Sequence, residues 1–189
     1  MTLRTIVEFP HPLLKQRCEE VVDFDAELAT LLNDMRETMV EAEGLGLAAN
    51  QVAVGLRVFT MVVPGDGEDE VDETSEIVEL CNPRIVGRRG EIRFEEGCLS
   101  FPGINEAVLR SAEVDAVFQD RDGIEHRRSF TDVAAVCIQH ELDHLDGVTF
   151  LDRLSPLKRR LAQRSFKRMQ DARRFDDIED QRAAVRSAR

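Results

Sequence analysis

Two histidines four residues apart constrain this chain more than any other feature. His140 and His144 stand in Gln139-His140-Glu141-Leu142-Asp143-His144, preceded by Val133, Val136, Cys137 and Ile138 and followed by Leu145. In a helix, positions i and i+4 share one face a turn apart, so both imidazoles can reach a single metal ion. Glu141 lies between them in sequence, where a carboxylate can handle the proton of an activated water. The fold must therefore bury a polar pair within an apolar helix and bring other segments to it.

Two imidazoles leave a catalytic metal short of a ligand. No histidine follows His144, and the only later glutamate is Glu179, in the charged tail. A downstream third ligand of the kind metallopeptidases use is thus disfavoured, and cysteine thiolate is the alternative. Cys137 is one turn before His140 on the same helix and reads as packing near the site. Cys18 and Cys81 stand alone and read as buried structural thiols. Cys98, in Glu95-Glu96-Gly97-Cys98-Leu99-Ser100 at the end of a strand, is the best third ligand. A further segment, Gly44-Leu45-Gly46-Leu47-Ala48-Ala49-Asn50-Gln51, combines small residues that admit a close ligand with the neutral amide of Gln51.

Around these motifs the hydrophobic pattern is mixed. Leu28, Leu31, Leu32, Met35 and Met39 recur at helical steps, which predicts an amphipathic helix over 25–43 with Asp23 or Asp25 as N-cap. Residues 44–46 end it, and 47–51 are expected as a turn or loop. Strands are expected at 57–63, 77–81, 85–87 and 91–94, then a hairpin of 113–119 and 124–130 around Asp120-Arg121-Asp122-Gly123. Residues 132–145 form the metal-binding helix behind Thr131 as N-cap, and Ser155-Pro156 opens a third helix to about residue 174. The order argues an α+β fold, with antiparallel strands packed around a central metal-binding helix, an N-terminal amphipathic helix and a C-terminal helix. Residues 1–174 read as one catalytic domain and 175–189 as a frayed charged tail.

Charge adds a second asymmetry. The 189 residues carry a net −12, yet 153–189 hold twelve Lys/Arg against five Asp/Glu, leaving thirteen against thirty-two in 1–152. Residues 64–79 alone hold eight acidic side chains and no basic one, and read as a solvated loop insertion. Acidity argues against nucleic-acid contact by the catalytic part, though not by the basic helix at 155–174. No apolar run approaches the roughly 18 residues of a membrane span. The irregular cysteine spacing and the lack of a secretory signal lead us to expect a cytoplasmic protein with reduced thiols and no membrane partner.

Taken in order, Gly44-Leu45-Gly46-Leu47-Ala48-Ala49-Asn50-Gln51, Glu96-Gly97-Cys98-Leu99-Ser100 and Gln139-His140-Glu141-Leu142-Asp143-His144 resemble the three motifs of the bacterial-type peptide deformylases, and Pro10-His11-Pro12-Leu13-Leu14 resembles that family's N-terminal segment. The resemblance spans roughly residues 5–170. It implies a hydrolase that removes the formyl group from N-formylmethionyl nascent peptides. It also implies Cys98, His140 and His144 around one divalent metal, ferrous iron being favoured over zinc, nickel or cobalt. Glu141 would then carry protons, while Gln51 and the Leu99 backbone N–H stabilise the oxyanion. Leu45, Val133, Val136 and Cys137 would hold the methionine side chain, Gly44 and Gly46 would let the peptide backbone approach, and Glu96 would orient the site. The basic helix would dock on the ribosome, as in that family. One departure is the absence of arginine between Ser100 and Arg110; Arg110 itself is expected to pair with Glu96 or Asp143. The competing readings are a metallopeptidase and a closed structural metal module.

Overall fold

The computed structural model describes residues 2–65 and 75–187, with side chains to residue 175. The 66–74 stretch of the acidic segment therefore lies outside the described residues. Helix α1 (Ala26–Glu41) begins where the Asp25 carboxylate accepts from the backbone N–H groups of Glu27 and Leu28, each at 3.0 Å. That cap satisfies two of the donors a helix N-terminus leaves free.

The chain then forms β1 (Gly46–Ala48), a 3-10 turn (Ala49–Val52) and β2 (Val58–Val63). Residues 47–51 are thus a short edge strand and a 3-10 turn rather than an open loop. Strand β3 (Glu76–Arg89) is continuous where the sequence suggested two pieces, with register shifts between Cys81 and Arg84 and between Ile85 and Gly87. Asn82, at φ 51°, absorbs the first irregularity beside Pro83, which has no N–H to give to a ladder. Next come β4 (Ile92–Glu96), β5 (Glu106–Arg110), β6 (Glu113–Gln119) and β7 (Glu125–Thr131). A five-stranded antiparallel sheet runs in the order β1-β2-β3-β6-β7, and β4 pairs with β5 separately.

Helix α2 (Asp132–Leu145) carries the two histidines. Thr131 is its N-cap but makes no side-chain capping bond. On one face of β2, Phe59, Met61 and Val63 share a core with Ala134, Ala135, Ile138 and Leu145 of α2; on the other, Val58 and Val62 share one with Leu28, Leu31, Leu32, Met35 and Met39 of α1. A strand covered on both faces is buried at every residue, as β2 is. The α+β arrangement of strands around a central histidine-bearing helix agrees with the pattern in the sequence. After a 3-10 turn (Phe150–Arg153), helix α3 (Pro156–Ser187) runs thirteen residues beyond the expected end at 174. Its Ala162 and Phe166 close a third cluster with Phe101, Ile104, Val108, Phe150 and Leu151. Phe101 sits at the centre, 5.0 Å from the Phe9 ring, 5.6 Å from Phe150 and 5.2 Å from Phe166.

Candidate active site

α2 is buried on more than one side: Ala134, Ala135, Ile138 and Leu145 pack in the sheet core, Glu141 lies against Gly46 of β1, and a polar side with His140, Asp143 and His144 is buried as well. Cys98 reaches this polar side from the turn after β4. The ligand atoms of Cys98, His140 and His144 all lie within 4.8 Å of one another, and they form the one such cluster among the described residues. Cys98 Sγ is 3.2 Å from His144 Nε2. Tetrahedral bonds of about 2.3 Å to sulfur and 2.0–2.1 Å to nitrogen would separate those atoms by roughly 3.6 Å, so the donors fit a thiolate- and imidazole-binding divalent metal with little movement.

Of the two imidazoles, His140 has its outer ring nitrogen held by a carboxylate. His140 Nδ1 lies 2.8 Å from Glu96 Oε2, so the carboxylate accepts a hydrogen bond from Nδ1–H and Nε2 is left free to bind a cation. Arg110 holds that carboxylate with both Nε (2.6 Å) and Nη2 (3.0 Å), and donates Nη1 to Asp143 at 2.6 Å. Arg153 donates to Asp143 from the outside. The expected partnership of Arg110 with Glu96 or Asp143 is therefore present with both.

Electrostatics separate the groups. Burial alone would raise the Glu96 carboxyl, but Arg110 and His140 outweigh it and hold it at about 2. Burial pushes Glu141 up to about 7. Burial lowers His140, yet the Cys98 sulfur and Glu96 prevail and raise it well above the usual imidazole range. His144, also buried and facing His140, falls well below that range. Burial drives the other thiols up, Cys18 to about 11, Cys81 to about 12 and Cys137 well above the ordinary thiol range, which suits inert packing groups.

A cavity of about 390 Å³ opens beside the cluster. Gly44, Leu45, Gly46, Gln51, Glu96, Cys98, Leu99, Val133, Val136, Cys137, His140 and Glu141 all line it, so the residues given metal, catalytic or substrate roles from the sequence, fully buried His144 apart, surround one cavity. Glu43, Phe94, Gly97, Pro102 and Gly103 line it too and were not singled out. Phe94 could have been found from the alternation of β4; the others sit in turns, where no periodicity marks them. A Cβ on Gly46 would stand 2.5 Å from Glu141 Oε1, so glycine there is what lets β1 pass over the carboxylate. Gln51 Nε2 lies 3.6 Å from Cys98 Sγ and 3.3 Å from Ser100 Oγ, while its Oε1 accepts from the Ala48 N–H at 2.8 Å. The Cys137 thiol donates to the Leu45 carbonyl at 3.4 Å, so it packs beside the cluster.

The family model of polypeptide deformylase matches residues 3–160. The chain belongs to the polypeptide deformylase family. A peptide deformylase of Wolinella succinogenes is 41% identical over 167 residues, covering 88% of this chain and 97% of that one. Among solved structures, the peptide deformylase of Legionella pneumophila superposes with a TM-score of 0.82 at 39% identity, covering 91% of this chain and 98% of the other. That of Ehrlichia chaffeensis gives 0.83 at 35%, covering 90% and 98%. Deformylase membership agrees with the Cys/His/His cluster and with the cavity that the three motifs enclose. Among the described residues, no helix is long and apolar enough to cross a membrane.

Proposed function

We propose that this deformylase removes the formyl group from the N-terminal formylmethionine of newly made polypeptides and releases formate. The observation that carries the reading is the cluster of Cys98, His140 and His144 beside a cavity that Cys98, His140, Glu141 and Gln51 line. Cys98 Sγ and the Nε2 atoms of His140 and His144 would hold one divalent cation; ferrous iron is the proposed occupant, and zinc, nickel or cobalt suit the same donors. A cation so held supplies Lewis acidity and brings the pKa of a water towards ~7.

The chain's own residues do the rest. Glu141 takes a proton from the attacking water and delivers it to the amine nitrogen as the C–N bond breaks, leaving formate and a free N-terminus. Its elevated pKa suits both halves of that transfer at neutral pH. Gln51 Nε2 and the Leu99 backbone N–H donate to the oxyanion, each such donor being worth about 2.7–4 kcal/mol in the barrier. Glu96 orients His140. Leu45, Val133, Val136 and Cys137 receive the methionine side chain, and a formyl hydrogen fits where an acetyl methyl would meet the wall. β1 is an edge strand, and its open side near Gly44 and Gly46 would pair with the peptide backbone, a mode that tolerates many following residues.

Residues 1–174 would form the single catalytic unit and work in the cytoplasm on nascent chains. The outward side of α3 exposes Arg160, Arg164, Lys167 and Arg168, which suits docking on the ribosome. Reversing Arg160, Arg164 and Arg168 to glutamate should abolish ribosome co-sedimentation, and unchanged co-sedimentation opposes docking. The activity itself is tested by formate release from a formylmethionyl tripeptide, run beside cleavage of an unformylated internal peptide. Formate without internal cleavage is expected; the reverse pattern would make the protein a metallopeptidase.

A further inference from the structure

The 3-10 turn after β1 places two amide side chains next to each other, and they face different halves of the metal cluster. Gln51 reaches the Cys98 segment through Cys98 Sγ and Ser100 Oγ. Asn50, fully buried, turns the other way: its Nδ2 donates to the main-chain carbonyl of His144 at 2.6 Å and meets the Leu13 carbonyl at 3.4 Å. Both partners are acceptors, so chemistry fixes which end of the Asn50 amide points at them.

The carbonyl that Asn50 holds belongs to a metal-cluster residue at the C-terminus of α2, where helical carbonyls run out of intrahelical partners. The same turn is pressed from the N-terminal segment. Gly147, at φ 71°, approaches so closely that a Cβ would stand 2.8 Å from the Lys15 backbone, and the Cys18 N–H donates to the Leu145 carbonyl at 2.8 Å. Consecutive residues of one short turn thus touch the two segments that bring Cys98 and His144 together.

We propose that Asn50 is a positioning residue for the metal site, holding the last turn of α2 so that His144 stays at coordination distance from Cys98. The inference rests on the metal reading above. Loss of such an outer contact typically costs 10–100-fold in metal affinity.

The test uses the full chain loaded with Co²⁺, reading the rate of Co²⁺ loss to excess chelator and the visible absorption of the cobalt–thiolate chromophore. Asn50→Ala and Asn50→Asp should each release Co²⁺ roughly 10–100-fold faster, with an altered absorption band. The aspartate variant keeps the volume but cannot donate to the His144 carbonyl, so it reports even where a cavity at Asn50→Ala prevents folding. Asn82→Ala is the structural control. Asn82 bonds Val21 at 2.8 and 2.9 Å and Gln119 at 2.8 Å, and its loss should lower the melting temperature with wild-type Co²⁺ release. Wild-type release from both Asn50 variants, or equal acceleration in Asn82→Ala, overturns the proposal. A wild-type chain that takes up no Co²⁺ is a separate result: it removes the metal reading and the proposal together.

Discussion

Arg110→Met is the most searching perturbation of the buried network behind His140. The side chains of Arg110 and Glu96 are 4% and 3% exposed, so neither charge has water to fall back on. Methionine keeps the length and apolar volume of the arginine stem but strips both contacts to Glu96 and the one to Asp143. Asp143 retains Arg153; Glu96 is left with His140 alone. Breaking a buried pair by removing one partner costs about 3–5 kcal/mol, which for a chain of this size lowers the melting temperature by roughly 6–20 °C. The pH dependence has a definite sign. With Arg110 present, Glu96 is held at about 2, so its contribution exists above the ordinary carboxylate range and is lost as pH falls through about 2. The deficit of the variant is therefore largest near neutrality and shrinks in acid, where a Glu96 freed of Arg110 takes up a proton. Thermal unfolding by circular dichroism at pH 7 and pH 4 measures this. Adding Glu96→Gln to Arg110→Met should recover part of the loss, with a coupling of about 0.5–3 kcal/mol. A single variant melting within about 2 °C of wild type, with no coupling in the double variant, would refute the reasoning.

Three further outcomes follow from the same geometry. Glu141→Gln should keep its metal content by elemental analysis and lose about 10²–10⁴-fold in formate release, and full activity would sink the proton-transfer role. Gly46→Ala should fold yet lose roughly 10²-fold in turnover, because its Cβ falls 2.5 Å from Glu141 Oε1 and must displace that carboxylate; near-normal kcat would show the approach is not needed. Burial raises Asp152, but Lys15 at 2.5 Å and Thr149 outweigh it and hold it at about 2. Its stabilisation is thus present at neutral pH, and Asp152→Asn should melt lower there, the gap closing as pH falls from about 4 towards 2.

The site was legible where chemistry leaves a local spacing. His140, Glu141 and His144 declare themselves by helical periodicity, and Cys98 by its place after a strand and a glycine; between Asp23 and Asp25 as N-cap, only the structure decides for Asp25. What escaped depends on non-local pairing. Three residues, Gly46–Ala48, are too few to show a period, and only their ladder to β2 makes them a strand. Pro83 reads as a break in sequence, whereas a bulge at Asn82 carries β3 past it. β5 was missed because one of its two buried positions is Arg110, a charge where the alternation needs an apolar residue. The stretch after residue 174 looked like a tail because it lacks an apolar stripe, yet no glycine or proline follows Pro156 to end the helix. Asn50 gave no signal at all, since its partner is a backbone carbonyl ninety-four positions away.

The central claim is that formate release depends on a metal held by Cys98, His140 and His144. It is tested most directly by anaerobic purification followed by metal analysis and formate release on the same sample, before and after chelation, with Cys98→Ala alongside. Expected are about one divalent metal per chain, activity lost with the metal and regained on its return, and neither metal nor activity in Cys98→Ala. Formate release that persists in fully metal-free protein, or in Cys98→Ala, would contradict it.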